Sequence, residues 1–269
     1  MRPSYVQRIE RAHELSEQYP SASELLLFYS KLANLQQRVF ESLSPSSAIS
    51  GQQDMSSWPL LVDTLAPLFP EFALQMAEIC PSPLRECVTY FGLTGLSEQS
   101  GLLARFWNGN LGKAEHDEQR AILDRFVALA FLQPYAEWLA QSQPTGGVAE
   151  GATCPVCSSE PVCAVLRDQN HGARRSLICS LCMNEWRFAR LKCPSCGEER
   201  FDALAVFMSE AMPHARIDAC DTCKVYIKTV DLTKDGRAIP VVDDLATASL
   251  DLWALDRGYS KIALNIAAL

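Results

Sequence analysis

The chain has 269 residues, is 48% hydrophobic and 21% charged, and carries a formal charge of -8. That balance belongs to an ordinary folded globular protein, long enough for a helical domain plus a smaller one, and it excludes gross disorder. The acidic excess argues against general affinity for nucleic acid or an anionic membrane, since both draw on surplus Lys and Arg.

The opening residues, 1–13, contain no apolar core of signal-peptide length, and no later run approaches a membrane span. A cytoplasmic protein without stable membrane insertion is therefore expected. Residues 1 to about 140 read as helical. Pro20 followed by Ser21 and Glu24 matches a capping box, in which hydroxyl and carboxylate satisfy free backbone N–H groups. Leu25, Phe28, Leu32, Leu35 and Val39 then recur at steps of three and four, laying one apolar stripe along a helix.

Further helices are expected near Leu60–Leu65, Glu71–Ile79, Pro83–Tyr90, Ser97–Trp107 and Asp117–Leu139, with Pro67, Pro70, Pro81 and Pro83 as breaks. In the last of them Ile122, Phe126, Leu129 and Leu132 keep helical spacing. Residues 1–150 thus form an all-helical domain that ends in a linker, Gln141–Gly151, rich in Pro, Gly and polar side chains. Beyond it the pattern changes to short β-type runs, Val162–Leu166, Ser176–Ile178, Ala203–Phe207 and Val225–Val230.

These runs separate four Cys-x-x-Cys pairs, which hold eight of the eleven cysteines: Cys154/Cys157, Cys179/Cys182, Cys193/Cys196 and Cys220/Cys223. Two residues between ligands let a tight turn place both sulfurs at neighbouring corners of a tetrahedron, with turn N–H groups free to bond the thiolates. The long, short, long intervals pair the first turn with the second and the third with the fourth, with crossed pairing as the alternative. This gives two tandem ribbons of the zinc-ribbon or rubredoxin type: site 1 (Cys154, Cys157, Cys179, Cys182) in residues 151–191 and site 2 (Cys193, Cys196, Cys220, Cys223) in residues 192–242. Pro155 and Pro194 preset the first turn of each ribbon, and Trp186 and Tyr226 follow the second turns as covers.

A lone pair would suggest a redox dithiol, whereas four with repeated spacing indicate two metal ions, iron or zinc, because both accept four thiolates. A closed site leaves no position for water or substrate, so the protein is expected not to be an enzyme, and no catalytic residue is assigned. Closed zinc would be structural; iron in the same geometry could exchange an electron, which keeps a rubredoxin-like electron-transfer or redox-sensing protein as an alternative.

Cys80, Cys87 and Cys163 read as small core side chains, and His171 and His214 as solvent-exposed. Arg174, Arg175, Arg187, Arg190 and Lys192 form a local basic cluster, read as a solvated face. It is the sole support for a nucleic-acid-binding ribbon, because residues 151–242 hold 12 basic and 11 acidic side chains and are near neutral. In the final segment, 243–269, Asp243 and Asp244 read as caps of a C-terminal helix. Leu245, Leu252 and Leu255 share its face, and Gly258 ends it in a left-handed turn.

The order of motifs resembles the FdhE family of formate dehydrogenase accessory proteins. The residues that carry the likeness are the four cysteine pairs; Arg175–Cys179, Trp186 and Arg190; Lys224, Tyr226 and Lys228; Asp243–Thr247, Leu250 and Asp251; and Gly258 with Tyr259. The likeness runs from about residue 154 to 265. Ser158 stands where many relatives have glycine, and the loop before Arg175 is one residue longer. The resemblance implies a cytoplasmic assembly factor for respiratory formate dehydrogenase that contacts the catalytic subunit before export, with rubredoxin-like, iron-associated metal modules that bind or sense the maturing subunit.

Overall fold

The computed structural model describes residues 3–43, 65–109, 118–141, 151–169 and 172–267. Among the described residues six helices come first: α1 (Tyr5–Gln18), α2 (Ser23–Ser42), α3 (Phe69–Ile79), α4 (Ser82–Leu93), α5 (Leu96–Trp107) and α6 (Glu118–Gln141). The helix expected at Leu60–Leu65 lies, but for Leu65, outside the described residues, as does most of the linker.

Ser21 and Glu24 do not cap α2. Pro20 instead starts a 3-10 turn, Pro20–Ala22, that runs into the helix without a side-chain cap. A capping box forms one helix earlier, where the Ser4 hydroxyl accepts from the Gln7 N–H and the Gln7 side chain accepts from the Ser4 N–H. Prolines at the first turns of α3 and α4 start those helices, where a missing N–H costs nothing. Pro134, by contrast, lies inside α6. The Ala130 carbonyl one turn earlier, which proline cannot serve, accepts the Gln36 side-chain amide at 2.9 Å.

The α2 stripe is used as core. Leu32, Leu35 and Val39 pack with Phe69, Phe72, Phe91 and Phe131 of α3, α4 and α6. The same core continues without interruption into Cys154, Ala164, Leu177, Cys179, Cys182 and Trp186, so the helices rest on the first ribbon. A bidentate pair buried between α1 and α6, Arg8 Nη1 and Nη2 to Glu137 Oε1 and Oε2 at 2.8 and 2.7 Å, fixes their register.

The second half is built on a mixed sheet. Its strands are β1 (Pro161–Gln169), β2 (Gly172–Cys179), β3 (Glu185–Arg187), β4 (Leu204–Met208), β5 (Ala215–Cys220), β6 (Val225–Asp231) and β7 (Ser260–Lys261). The order is β3-β2-β1-β6-β5-β4, with β7 beside β6. Each ribbon supplies three antiparallel strands, and a parallel pairing of β1 with β6, Ala164 opposite Thr229, fuses them into one sheet.

The expected C-terminal helix is two short helices, α7 (Pro240–Ala246) and α8 (Ala248–Asp256), broken at Thr247. Val242 and Leu245 of α7 pack on Tyr5, Leu15 and Tyr29, while Leu250 and Ala254 of α8 pack on Ile217 and Tyr226. Leu252 and Leu255 are exposed and make no shared buried face with Leu245, because the break at Thr247 resets the helical phase. Gly258 does follow α8 with φ +77°.

Candidate metal centres

The eight paired cysteines gather as two groups of four. Cys154, Cys157, Cys179 and Cys182 bring their sulfurs within 4.8 Å of one another, and so do Cys193, Cys196, Cys220 and Cys223. Cross-turn sulfur separations are 3.6 Å (Cys154–Cys182), 3.2 Å (Cys157–Cys179), 3.8 Å (Cys193–Cys223) and 3.7 Å (Cys196–Cys220). Sulfurs about 2.3 Å from a central ion at tetrahedral corners stand about 3.8 Å apart, whereas a disulfide requires about 2.05 Å. The donor set therefore fits one four-thiolate ion per group.

The turns are built alike. The residue after each second cysteine adopts a left-handed backbone: Ser158 at φ 60°, Met183 at 54°, Gly197 at 78° and Lys224 at 57°. That twist folds the chain back, so that the N–H of Ser158, Gly197 and Lys224 reaches the carbonyl of Cys154, Cys193 and Cys220 at 2.9, 3.0 and 2.9 Å. Backbone N–H groups point at sulfur as well, from Val156 to Cys154, from Leu181 and Cys182 to Cys179, and from Ser195 to Cys193, each at 3.4 Å.

Within each group the thiols perturb one another. Contacts with the sulfurs of Cys154, Cys179 and Cys182 pull the Cys157 thiol far below its ordinary range, while burial pushes Cys179 and Cys182 well above it. In site 2 burial lifts Cys193 to about 12; burial also raises Cys220, but the N–H groups of Cys223 and Thr222 together with the sulfurs of Cys196 and Cys223 outweigh it and lower that thiol. Four thiolates this close repel one another, and a divalent ion is what lets all four ionise.

The sites differ in setting. Site 1 is sunk under α6: Cys154, Cys179 and Cys182 are buried, and the Ser180 carbonyl accepts from the Gln133 amide at 3.2 Å. Only Cys157 reaches a cavity of about 630 Å3, which Trp107, Arg125 and Leu264 also line. Site 2 stands at the rim of the sheet, with Cys196 exposed and Cys223 half-buried.

The other sequence candidates fall elsewhere. Cys80, Cys87 and Cys163 are buried singly, outside both clusters, and burial pushes Cys80 and Cys87 up to about 12 and 11. His171 lies outside the described residues. His214 is not exposed: it is buried, with its Nε2 3.0 Å from Asp243 Oδ1. Arg175 likewise is no part of a solvated face. It is buried and donates to the carbonyls of Ala189 and Lys192 at 3.2 and 3.1 Å, whereas Arg187 and Arg190 are exposed.

The cap reading of Asp243 and Asp244 captures one bond, from the Ile239 N–H to Asp243 Oδ2 at 2.7 Å. It misses two buried charge networks. Asp243 also takes Arg11, from Nη2 at 2.6 Å and Nε at 3.2 Å. Asp244 and Asp251 face Lys228 and Lys261 with all four charges buried, and Tyr226 and Asn265 add hydrogen bonds at 2.8 and 2.7 Å. The signal available in the sequence was that Lys228, Asp244 and Asp251 lie in segments whose apolar residues demand burial on both faces.

The chain is similar to known proteins. The family description "FdhE, central domain" matches residues 153–190 and "FdhE, C-terminal domain" matches residues 191–267, so each segment carries at least one complete turn of the metal sites. A protein FdhE homolog of Aquifex aeolicus is 41% identical over 113 residues, 42% of this chain and 40% of that one. The homolog of Edwardsiella ictaluri is 29% identical over 97% of this chain and 87% of its own length, and that of Shewanella oneidensis is 28% identical over 82% and 70%. This chain thus spans two fifths of the Aquifex protein and about seven tenths of the Shewanella one. The crystal structure of the FdhE protein from Pseudomonas aeruginosa shares the fold, with a TM-score of 0.74 at 22% identity over 100% of this chain and 98% of that one. The two domain descriptions adjoin across residues 153–267 and enclose all eight paired cysteines, so this part of the chain is similar to the central and C-terminal domains of the FdhE family.

Proposed function

We propose that this chain is an accessory factor for assembly of respiratory formate dehydrogenase, acting in the cytoplasm by binding the catalytic subunit during maturation. The observation that carries the reading is the pair of FdhE domain matches laid over two four-cysteine clusters. In this reading Cys154, Cys157, Cys179 and Cys182 hold one metal ion and Cys193, Cys196, Cys220 and Cys223 a second, iron or zinc. Four protein ligands leave no coordination position for substrate, so the ions serve structure and recognition rather than turnover. Among the described residues no helix is long and apolar enough to cross a membrane, which accords with a factor that meets its partner before export.

Affinity capture from anaerobic cells making formate dehydrogenase tests this directly. Recovery of the catalytic subunit, with loss of formate dehydrogenase activity on deletion of the accessory protein, is the expected result; absence of both would sink the proposal. The exposed Cys196 at site 2 favours one second reading, a rubredoxin-like site that exchanges an electron through that sulfur. It requires iron whose thiolate charge-transfer absorption bleaches reversibly on reduction. Stoichiometric zinc in protein from iron-replete cells would dismiss it.

A further inference from the structure

The sheet ends at β4, and among the described residues no strand covers its outer side. The direction of the free backbone groups follows from one bond. The Asp221 N–H donates to the Ala203 carbonyl at 2.8 Å, which makes residues 203 and 221 a hydrogen-bonded pair. In an antiparallel ladder such pairs alternate, so Ala205 and Phe207 bond to β5, while Leu204, Val206 and Met208 turn their N–H and C=O outward. The Leu204 N–H is taken by the Phe201 carbonyl. The remaining groups of Val206 and Met208 form an open template for another backbone.

The side chains on this edge are apolar and wet. Ala205 and Phe207 pack inward, the latter 4.7 Å from the Trp253 ring. On the other face Val206 and Met208 are 53% and 66% exposed, beside Leu191 at 60% and Phe201 at 81%. Natural edges are commonly guarded by lysine or proline, and β4 has neither. A cleft of about 190 Å3 adjoins the strand, and Arg175, Arg190 and Arg216 converge on it against the single carboxylate of Asp218. Arg175 is 3% exposed and its Nε has no hydrogen-bond partner, while Arg190 makes no hydrogen bond or ion pair among the described residues.

We propose that the β4 edge and this cleft take an extended segment of a partner polypeptide as an added strand, with apolar side chains at alternate positions and a carboxylate directed at Arg175, Arg190 and Arg216. Backbone bonding supplies affinity, and the alternating side chains with the acid supply choice. A second copy of this chain fits poorly, because two-fold pairing of β4 would bring the arginine groups of both copies together. The inference rests on the accessory-factor reading only for the partner's identity.

The test uses the metal-loaded full chain and a fluorescent octapeptide of alternating valine and glutamate, with valine–lysine as control. Saturable binding is expected, at least tenfold weaker for the lysine peptide and at least tenfold weaker for R190E and for V206K. Both substitutions fall on exposed side chains, and unchanged metal content verifies their fold. Amide exchange at Val206 and Met208 should slow at least tenfold in the complex. Absence of saturable binding at about 1 mM peptide overturns the proposal. So does equal binding by both variants, or a dimer of the chain that V206K dissolves. Capture of the catalytic subunit is scored separately: subunit bound but peptide refused removes the edge site alone, whereas peptide bound at β4 but subunit refused removes the accessory-factor reading alone.

Discussion

Replacing Lys228 by methionine isolates the buried network that joins β6 to the C-terminal helices. The Lys228 ammonium lies 2.5 Å from Asp251 Oδ2 and 3.2 Å from Asp244 Oδ1, and it also donates to the main-chain carbonyls of Asp244 and Thr247 at the break between α7 and α8. With Lys261 it balances two carboxylates by two cations, all at or near zero exposure. Methionine keeps the volume and leaves one buried negative charge unmatched. Breaking such a pair costs about 3–5 kcal/mol. The lower end applies, because Asp244 retains Lys261 at 3.0 Å and Asn265, and Asp251 retains Tyr226. A cost of about 3 kcal/mol corresponds to roughly a hundredfold faster amide exchange across β6, read by native-state hydrogen exchange at Tyr226–Val230. The charge-balanced double variant K228M/D251N should recover about 1–2 kcal/mol relative to additivity. If K228M exchanges within threefold of wild type, or if the double variant is simply additive, the network does not hold these elements together.

Four further outcomes are expected. Serine at any of the eight clustered cysteines should release one equivalent of metal, whereas serine at Cys80 or Cys87 should release none; at pH 8 iodoacetamide should modify Cys196 first and spare those two, because pKa values of about 12 and 11 leave fewer than about one thiolate in a thousand. Ser158→Gly relieves a left-handed strain of about 1–2 kcal/mol at the cost of about 0.5–1 kcal/mol in chain entropy, so metal competition should show roughly two- to fivefold tighter binding at site 1. Burial raises the Asp244 carboxyl, but Lys228 and Lys261 outweigh it and hold it below its ordinary value. Its stabilising contribution is therefore complete above the ordinary carboxylate range and fades as pH falls below about 4, which is measured as a narrowing stability gap between wild type and D244N.

What the sequence disclosed was what depends on near neighbours. A Cys-x-x-Cys turn closes within its own few residues, and the α2 stripe from Leu25 to Val39 repeats at the helical period, so both were legible. The parallel pairing of β1 with β6 joins Ala164 to Thr229 across a long interval and leaves no local mark, so the ribbons read as beads where the chain makes one sheet. The same blindness explains His214 and Arg175, whose partners Asp243, Ala189 and Lys192 stand 14 to 29 residues away. The capping box at Ser21 fails for a local reason: Pro20 opens a 3-10 turn, so the helix begins at Ser23 with Ala22, not Ser21, at the cap position. The true box at Ser4 and Gln7 went unread because α1 buries Arg8 and Arg11 along with its apolar residues, and so lacks a clean stripe.

The two four-cysteine clusters, alike in their turns, are supported by opposite parts of the molecule. Three cysteines of site 1 belong to the same apolar core as α2, α3 and α6, so the first ribbon and the helices share much of their stabilisation. No cysteine of site 2 enters any of the buried apolar clusters. That ribbon is tied down through β6, where Lys228 meets the carboxylates of α7 and α8, and α7 in turn is tied to α1 by Arg11 and Asp243. Helices α1, α7 and α8 thus clamp the second ribbon from behind and leave Cys196 and the β4 edge facing outward. The fold thus buries three of the four cysteines of site 1 in its main apolar core and sets site 2 beside an unpaired strand, which is the arrangement the proposed added-strand binding requires.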